Sequence, residues 1–244
     1  GGQQVSAAED PELVLGIETS DDRGGVMLCR GEEPLVEREF GPGASHARDI
    51  LPGIDDVVRR AGIAKSELDV VAVAEGPGSF TGLRVGVTCA KVLGYTLGPA
   101  VMGVPTLEIK AYNVDPADEG EVAHVCPVQD ARRGWVYATV FRSTGDGWED
   151  ITGVLAAPPE EVVEDVPEGA LVFGDGAEKF DDVFTPDRFR IGDESLDDPT
   201  ALWTARLGLR RVRAGGAVDP MDLMPRYYRP TAPEESLKSS ESAD

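Results

Sequence analysis

The residues of this chain best placed for chemistry are a few acids at strand ends and one loop crowded with glycine. Glu18, Asp21 and Asp22 follow the apolar run LVLGI, and Asp130 follows VCPVQ. Carboxylates on two such turns could face one another across a cleft and hold a magnesium nucleotide. Asp and Gly also make good turns in their own right, and turn formation alone accounts for them. The loop is EGPGSFTGLRVG, Glu75 to Gly86, with four glycines in twelve residues. Phosphate motifs demand a spacing that it lacks. A P-loop ends in Gly-Lys-Ser/Thr, yet no lysine occurs here before Lys91, and the dinucleotide fingerprint needs a glycine where Thr81 stands. A helix N-terminus after a strand still suits an anion. Close backbone approach is the stronger reading of the glycines. Metal chemistry has little to work with: of the two histidines, His46 has Ile50 four residues on, where a second imidazole would be needed, and His124 sits in an apolar strand. Ser79, in GPGSFTG, lacks the spacing of a nucleophile elbow.

Elements that must position these residues follow from periodicity. ELVLGIET, GGVMLCR and PLVEREF read as three strands with short polar turns. SHARDILPGIDDVVRRAG reads as an amphipathic helix capped by Ser45, with Pro52 awkward inside it. The strand LDVVAVAEG and a glycine-rich helix through Gly98 come next. The order then repeats: strands at 121–131, 134–143 and 150–157, a short helix at PEEVVEDV, a strand at GALVFGDG, and a last helix with Asp198 as N-cap, Pro199 at its first position and arginines at its end. Two copies of βββαβα imply an α/β protein of two similar lobes, residues 12–106 and 107–230, with a cleft between them. The polar ends, residues 1–11 and 231–244, are expected to be mobile and stand outside the fold.

Composition narrows the partners. The 45 acids and 23 bases give a formal charge of −22. Such a surface repels phosphate backbones, so any service to RNA is expected to pass through another protein. It suits solubility in a salty cytoplasm. No apolar run is long enough to span a bilayer and the N-terminal residues hold no apolar signal core, so a cytoplasmic location is expected. Cys29, Cys89 and Cys126 lie far apart and read as small core residues in a reducing compartment.

The glycine-rich helix is unusual in two ways. Gly82, Gly86, Ala90, Gly94 and Gly98 recur at every fourth position, leaving a stripe without side chains. Helical glycines cost about 1 kcal/mol each, so the stripe needs a close neighbour to offset them. The opposite side, with Val85, Thr88, Cys89, Val92 and Thr96, is hardly polar either. A helix apolar nearly all round is covered on both sides. The neighbour on the stripe is either part of the same lobe or a partner protein.

LGIETS, SHARDILPGIDDV, EGPGSFTGLRVGVTCAKVLGYTLG, GVPTL, DARRGWVYATVF and PRYYRP together resemble the bacterial TsaB (YeaZ) family over residues 13–230. The resemblance implies the actin-like, Hsp70-like ASKHA fold (RNase H-like lobes, duplicated), in agreement with the repeat. It also implies a part in making threonylcarbamoyladenosine beside the anticodon of tRNAs that read codons starting with A. The implied role is a non-catalytic scaffold or activator. It dimerises with TsaD, the catalytic paralogue that carries the metal, and is joined by the ATPase TsaE; alone, it can pair as a homodimer.

On that resemblance the partner interface is expected at His46, Ile50, Ile54, Val57, Gly82, Gly86, Ala90, Gly94 and Gly98. LGIETS resembles the superfamily's first phosphate hairpin, DARRG the second and FGDGAE its adenosine loop, which marks Glu18, Thr19, Ser20, Asp130, Gly174 and Gly176 as a vestigial nucleotide cleft. No catalytic residue, cofactor or metal is expected. The rival reading is an ASKHA ATPase or phosphotransferase using Glu18 and Asp130 in the cleft. A metallopeptidase, a third reading, lacks nucleophile and ligands here.

Overall fold

The structure, a computed structural model, describes residues 11–43, 45–117 and 122–228. Apart from Pro11, the ends expected to be mobile lie outside the described residues. The first lobe is built on strands β1 (Leu13–Glu18), β2 (Gly24–Arg30) and β3 (Glu33–Phe40), helix α1 (His46–Ala61), strand β4 (Val70–Gly76), helix α2 (Phe80–Leu97) and strand β5 (Ala100–Pro105). Helix α3 (Thr106–Ala111) leads to the second lobe. There follow β6 (His124–Arg132), β7 (Trp135–Ala138), β8 (Phe141–Ser143), β9 (Trp148–Asp150), β10 (Leu155–Ala157), α4 (Pro159–Val162), β11 (Leu171–Phe173), α5 (Asp175–Lys179), β12 (Arg190–Ile191) and α6 (Ala201–Arg213).

The repeat is visible in the sheets. The first runs β3-β2-β1-β4-β5 and the second β10-β7-β6-β11-β12, the same path, with the β8–β9 hairpin attached to β6 as an addition. In each sheet an antiparallel hairpin meets a parallel pair at the central strand, β1 or β6. This is the two-lobed ASKHA architecture expected from the sequence.

β1 is buried at all six positions because helices cover both faces of its sheet. Leu15 and Ile17 point into the core shared with α1 and α2, and Val14 points into that shared with α6. α6 comes from the second half of the chain yet packs on the first sheet, against β1, β2 and β4. Gly16 makes this possible, since a Cβ there would stand 2.2 Å from the backbone oxygen of Ala201. Arg210 and Glu32 pair at 2.7 Å, Arg213 and Glu12 at 2.7 Å, stitching α6 to the β2–β3 turn and to the residue before β1. α3 lies between the lobes, packed on β4 and β5 on one side and β6 on the other.

Three local expectations shift. The run 134–143 divides into β7 and β8 because its partner β6 holds Pro127, which has no N–H to give the ladder; Val128 pairs with Ala138 and Val125 with Phe141, and the pairing lapses between. The run 150–157 breaks where Asp150 Oδ1 accepts the N–H groups of Thr152 (3.1 Å) and Gly153 (2.7 Å). The last helix is capped by Thr200, whose hydroxyl accepts from Trp203 N at 3.2 Å, and not by Asp198, which is engaged elsewhere. Pro52 sits on the exposed side of α1, which runs unbroken past it. Among the described residues no helix is long and apolar enough to cross a membrane.

Candidate functional site

The glycine loop leaves β4 at Gly76, whose φ of +117° suits a residue without Cβ. Ser79 then caps α2, its hydroxyl accepting from Gly82 N at 3.3 Å, while its own N–H donates to Ser20 O at 2.7 Å. The loop is thus fastened to the end of β1. A Cβ on Gly82 would stand 1.9 Å from Thr19 O, and one on Gly86 2.3 Å from Thr19 Oγ1. Thr19 Oγ1 in turn donates to Gly82 O at 2.9 Å. Farther along, a Cβ on Gly94 would meet Val101 Cγ1 at 2.5 Å and Pro220 at 2.9 Å. The glycines do serve close approach, and the neighbour is the chain's own β1, β5 and the segment around Pro220.

This changes the expected interface. Gly82, Gly86, Ala90 and Gly94 are buried within the lobe, and Gly98 is the left-handed C-cap of α2 with φ +90°. Ile54 and Val57 lie in the lobe core, and Ile50, also buried there, lines the groove between α1 and α2. His46 opens α1, donates from Nε2 to the Asp21 carbonyl at 2.8 Å and lies against Phe40. The amphipathic spacing was legible, but which stripe of α2 meets the sheet was decided by the tight fit of Thr19. What faces outward is the other side: Leu51 is 57% exposed, Val92 53% and Tyr95 75%. Between α1 and α2 an apolar groove of about 430 Å³ is lined by Ala47, Leu51, Arg84, Val85, Thr88 and Val92, among others.

At the cleft, the expected residues gather at the ends of β1 and β6, each with partners of its own. Glu18 is wholly buried and accepts from Ser20 N and Ser20 Oγ, both at 2.6 Å. Burial pushes its pKa up to about 7, outweighing those hydrogen bonds. Asp21, in the first hairpin, pairs with Lys110 of α3 at 3.1 Å. In the second hairpin, burial works against the charged form of Asp130, but Lys179 at 2.8 Å and the Arg132 N–H at 2.9 Å prevail and hold its pKa below the usual carboxylate range. Gly174, with φ +109°, and Gly176 let the turn after β11 lie flush on β6, where Asp175 Oδ1 accepts Asp130 N at 3.0 Å. Of the acids that could have faced a magnesium nucleotide, Asp21 and Asp130 are met by lysines and Glu18 is turned onto Ser20. Among the described residues no three His, Cys, Asp or Glu side chains gather to hold a metal. The three cysteines are buried, and burial pushes their thiols up to about 11, 11 and 12, which keeps them unreactive.

Comparison with known proteins settles the lineage. The family described as TsaD, tRNA N6-adenosine threonylcarbamoyltransferase, matches residues 42–188. The tRNA threonylcarbamoyladenosine biosynthesis protein TsaB of Bacillus subtilis is 28% identical over 223 residues, spanning 88% of this chain and 93% of that one. YeaZ from Pseudomonas aeruginosa superposes with a TM-score of 0.75 at 25% identity, over 88% of this chain and 99% of its own. The chain belongs to the TsaD family, in its TsaB (YeaZ) branch. A tRNA N6-adenosine threonylcarbamoyltransferase of Nitrosospira multiformis is 35% identical, but only over 112 residues, 39% of this chain and 32% of the enzyme. The TsaB relatives match along nearly their whole length and the transferase along a third of it, so the likeness to TsaB is the more complete. Lys110, which pairs with Asp21 of the first hairpin, and Asp197, within the field of that lysine, escaped the sequence reading because no motif marks them.

Proposed function

We propose that the chain is a non-catalytic scaffold or activator in threonylcarbamoyladenosine formation on tRNA, and that it docks TsaD through the outward face of α1 and α2. The observation that carries this reading is that face: Leu51, Val92 and Tyr95 stand exposed on two long helices whose inner sides are already satisfied. Arg84 and Lys91 are the charged residues of α2, and on a chain of charge −22 the groove between α1 and α2 is lined without an acid, although Asp55 stands exposed on α1 one turn from Leu51. A helical pair on the partner, with apolar ridges and an acidic rim, fits it. In isolation the same face can take a second copy of the chain. TsaE joins the pair, and tRNA meets this acidic subunit only through the complex. The lysine partners of Asp21 and Asp130 support the non-catalytic part of the reading, since neither carboxylate is left free to hold a metal nucleotide.

The test is Leu51→Asp with Val92→Asp. Both side chains point to solvent, so the variant is expected to fold normally yet fail to co-purify with TsaD and fail to support modification in a reconstituted assay. Full activity of that variant, with TsaD retained, overturns the interface. Modification at the normal rate in the absence of this chain overturns the role.

A further inference from the structure

The chain passes between the lobes twice, once from β5 through α3 into β6, and once from β12 through residues 192–200 into α6. Both passages are tied to the first hairpin by one circuit of polar contacts. Lys110, on α3, reaches Asp21 of the hairpin at 3.1 Å, and its side chain is only 2% exposed. Asn113, just beyond α3, donates from Nδ2 to the backbone oxygens of Leu196 (2.9 Å) and Asp198 (2.8 Å) in the second passage. Asp198 closes the circuit, its carboxylate 3.4 Å from Arg23 Nε of the hairpin. Asp197 also lies within the field of Lys110, which favours its charged form, although burial prevails and pushes its pKa up to about 6.

We propose that Lys110, Asn113 and Asp21 form an inter-lobe latch that fixes the angle between the two lobes. The reasoning is electrostatic. A surface pair such as Arg23–Asp198 can part and let water take over each charge at little cost. Lys110 has no water to fall back on, and parting it from Asp21 takes from a buried ammonium the carboxylate it is hydrogen-bonded to, leaving only the weaker fields of Asp197 and Asp198. Asn113 likewise satisfies two carbonyl oxygens with a single amide group, so the second passage cannot shift without breaking both bonds. Any rotation of one lobe on the other must move one passage against the other, and the latch joins them. The two lobes therefore behave as one rigid body, and this holds whether or not the α1–α2 face docks a partner.

Lys110→Met keeps the stem and removes the charge, and Asn113→Ala removes both donated bonds. Hydrogen exchange on the full chain is expected to speed up at least about tenfold over residues 19–25 and 193–200 in each variant, while the interiors of β1 and β4 stay within about twofold. Spin labels at Glu33→Cys and Glu164→Cys, one on each lobe, read the lobe angle directly, because the three native thiols are buried. Double electron–electron resonance is expected to give one narrow distance with the latch intact and a broadened one in Lys110→Met. Unchanged exchange over 19–25 together with an unchanged distance distribution overturns the proposal. So does an equal rise in exchange everywhere, which reports general loss of stability. If Lys110→Met does not fold, Asn113→Ala decides the matter by the same two readings.

Discussion

The two lobes share a sheet path and differ in what is laid upon it. Where β3 leads into α1 of 16 residues, β10 leads into α4 of four; where β4 leads into α2 of 18 residues, β11 leads into α5 of five. The second sheet is covered instead by a 3-10 turn that supplies Val163 and by loop side chains, Val166, Phe184 and Phe189. Covering a sheet of this size thus needs no long helix, so the length of α1 and α2 has some other use. Their inner faces bury the sheet, and their outer faces are left over. That surplus is where a partner has room to dock.

The largest test of the comparison concerns how each hairpin meets its helix. A Cβ on Gly82 would run into the Thr19 backbone oxygen at 1.9 Å, whereas one on Gly176 would lie 2.9 Å from Gln129 C, against a turn whose helix has only five residues. Gly82→Ala is expected to cost roughly 4 kcal/mol, since α2 must lift from β1 along its length, and Gly176→Ala about 1–2 kcal/mol, since a short turn gives way. Urea denaturation of both variants checks this. Equal losses would mean that the first lobe is no more tightly fitted than the second.

Next comes a pair of opposite pH dependences. Glu18 is buried among hydroxyl and amide donors, and its folded pKa of about 7 stands above the ordinary 4.5. The folded state therefore keeps a proton that the unfolded chain gives up, and stability falls as the pH rises from about 4.5 towards 7, by up to about 3 kcal/mol. Asp130, held below its ordinary 3.8 by Lys179 and the Arg132 N–H, contributes stability above that pH and loses it as the pH falls further. Glu18→Gln is expected to flatten the decline between pH 4.5 and 7, and Asp130→Asn the loss below pH 4. Thermal unfolding across pH 3–8 reads both. A decline that survives Glu18→Gln would place its origin elsewhere.

How far all this was legible depends on what each feature rests on. β2 runs over the very residues GGVMLCR, and the repeat of element order became a repeat of sheet path, because alternation and turn residues are local signals. The glycine stripe was legible as close packing, but its neighbour was not. Thr19 lies 63 residues from Gly82, and nothing in either segment announces the other. The same holds for Lys110, an unmarked lysine 89 residues from its Asp21 partner. α6 was readable as a helix, yet its packing on the first sheet depended on bare positions at Gly16 of β1 and at its own Gly208, where a Cβ would stand 2.2 Å from Ala72 of β4. Periodicity gives the faces of an element, and only the long-range fit says what covers them.

Docking gives a smaller but sharper contrast. Val92→Ala on the outer face of α2 is expected to weaken association with TsaD by about 1–2 kcal/mol, and Glu160→Ala on α4, exposed on the other lobe, to leave it unchanged. Neither change should alter the melting temperature, since both side chains face solvent. Titration calorimetry with purified TsaD measures the pair. An effect of Glu160→Ala as large as that of Val92→Ala would deny the surplus face its special place.

The smallest expected effect lies where the end of α6 meets the start of β1. Arg213 donates to both oxygens of Glu12, at 3.1 and 2.7 Å, and holds its pKa down to about 2. In a dry site so large a shift would be worth several kcal/mol, but the two side chains are 36% and 48% exposed, and solvent screens most of it. Glu12→Gln is expected to cost below about 1 kcal/mol at neutral pH and nothing measurable at high salt. Because the folded pKa is depressed, the contribution is full above about pH 4.5 and fades as the pH falls towards 2, opposite in sign to that of Glu18. A cost that persists in molar salt would mean that Glu12 fastens α6 by packing its stem rather than by its charge.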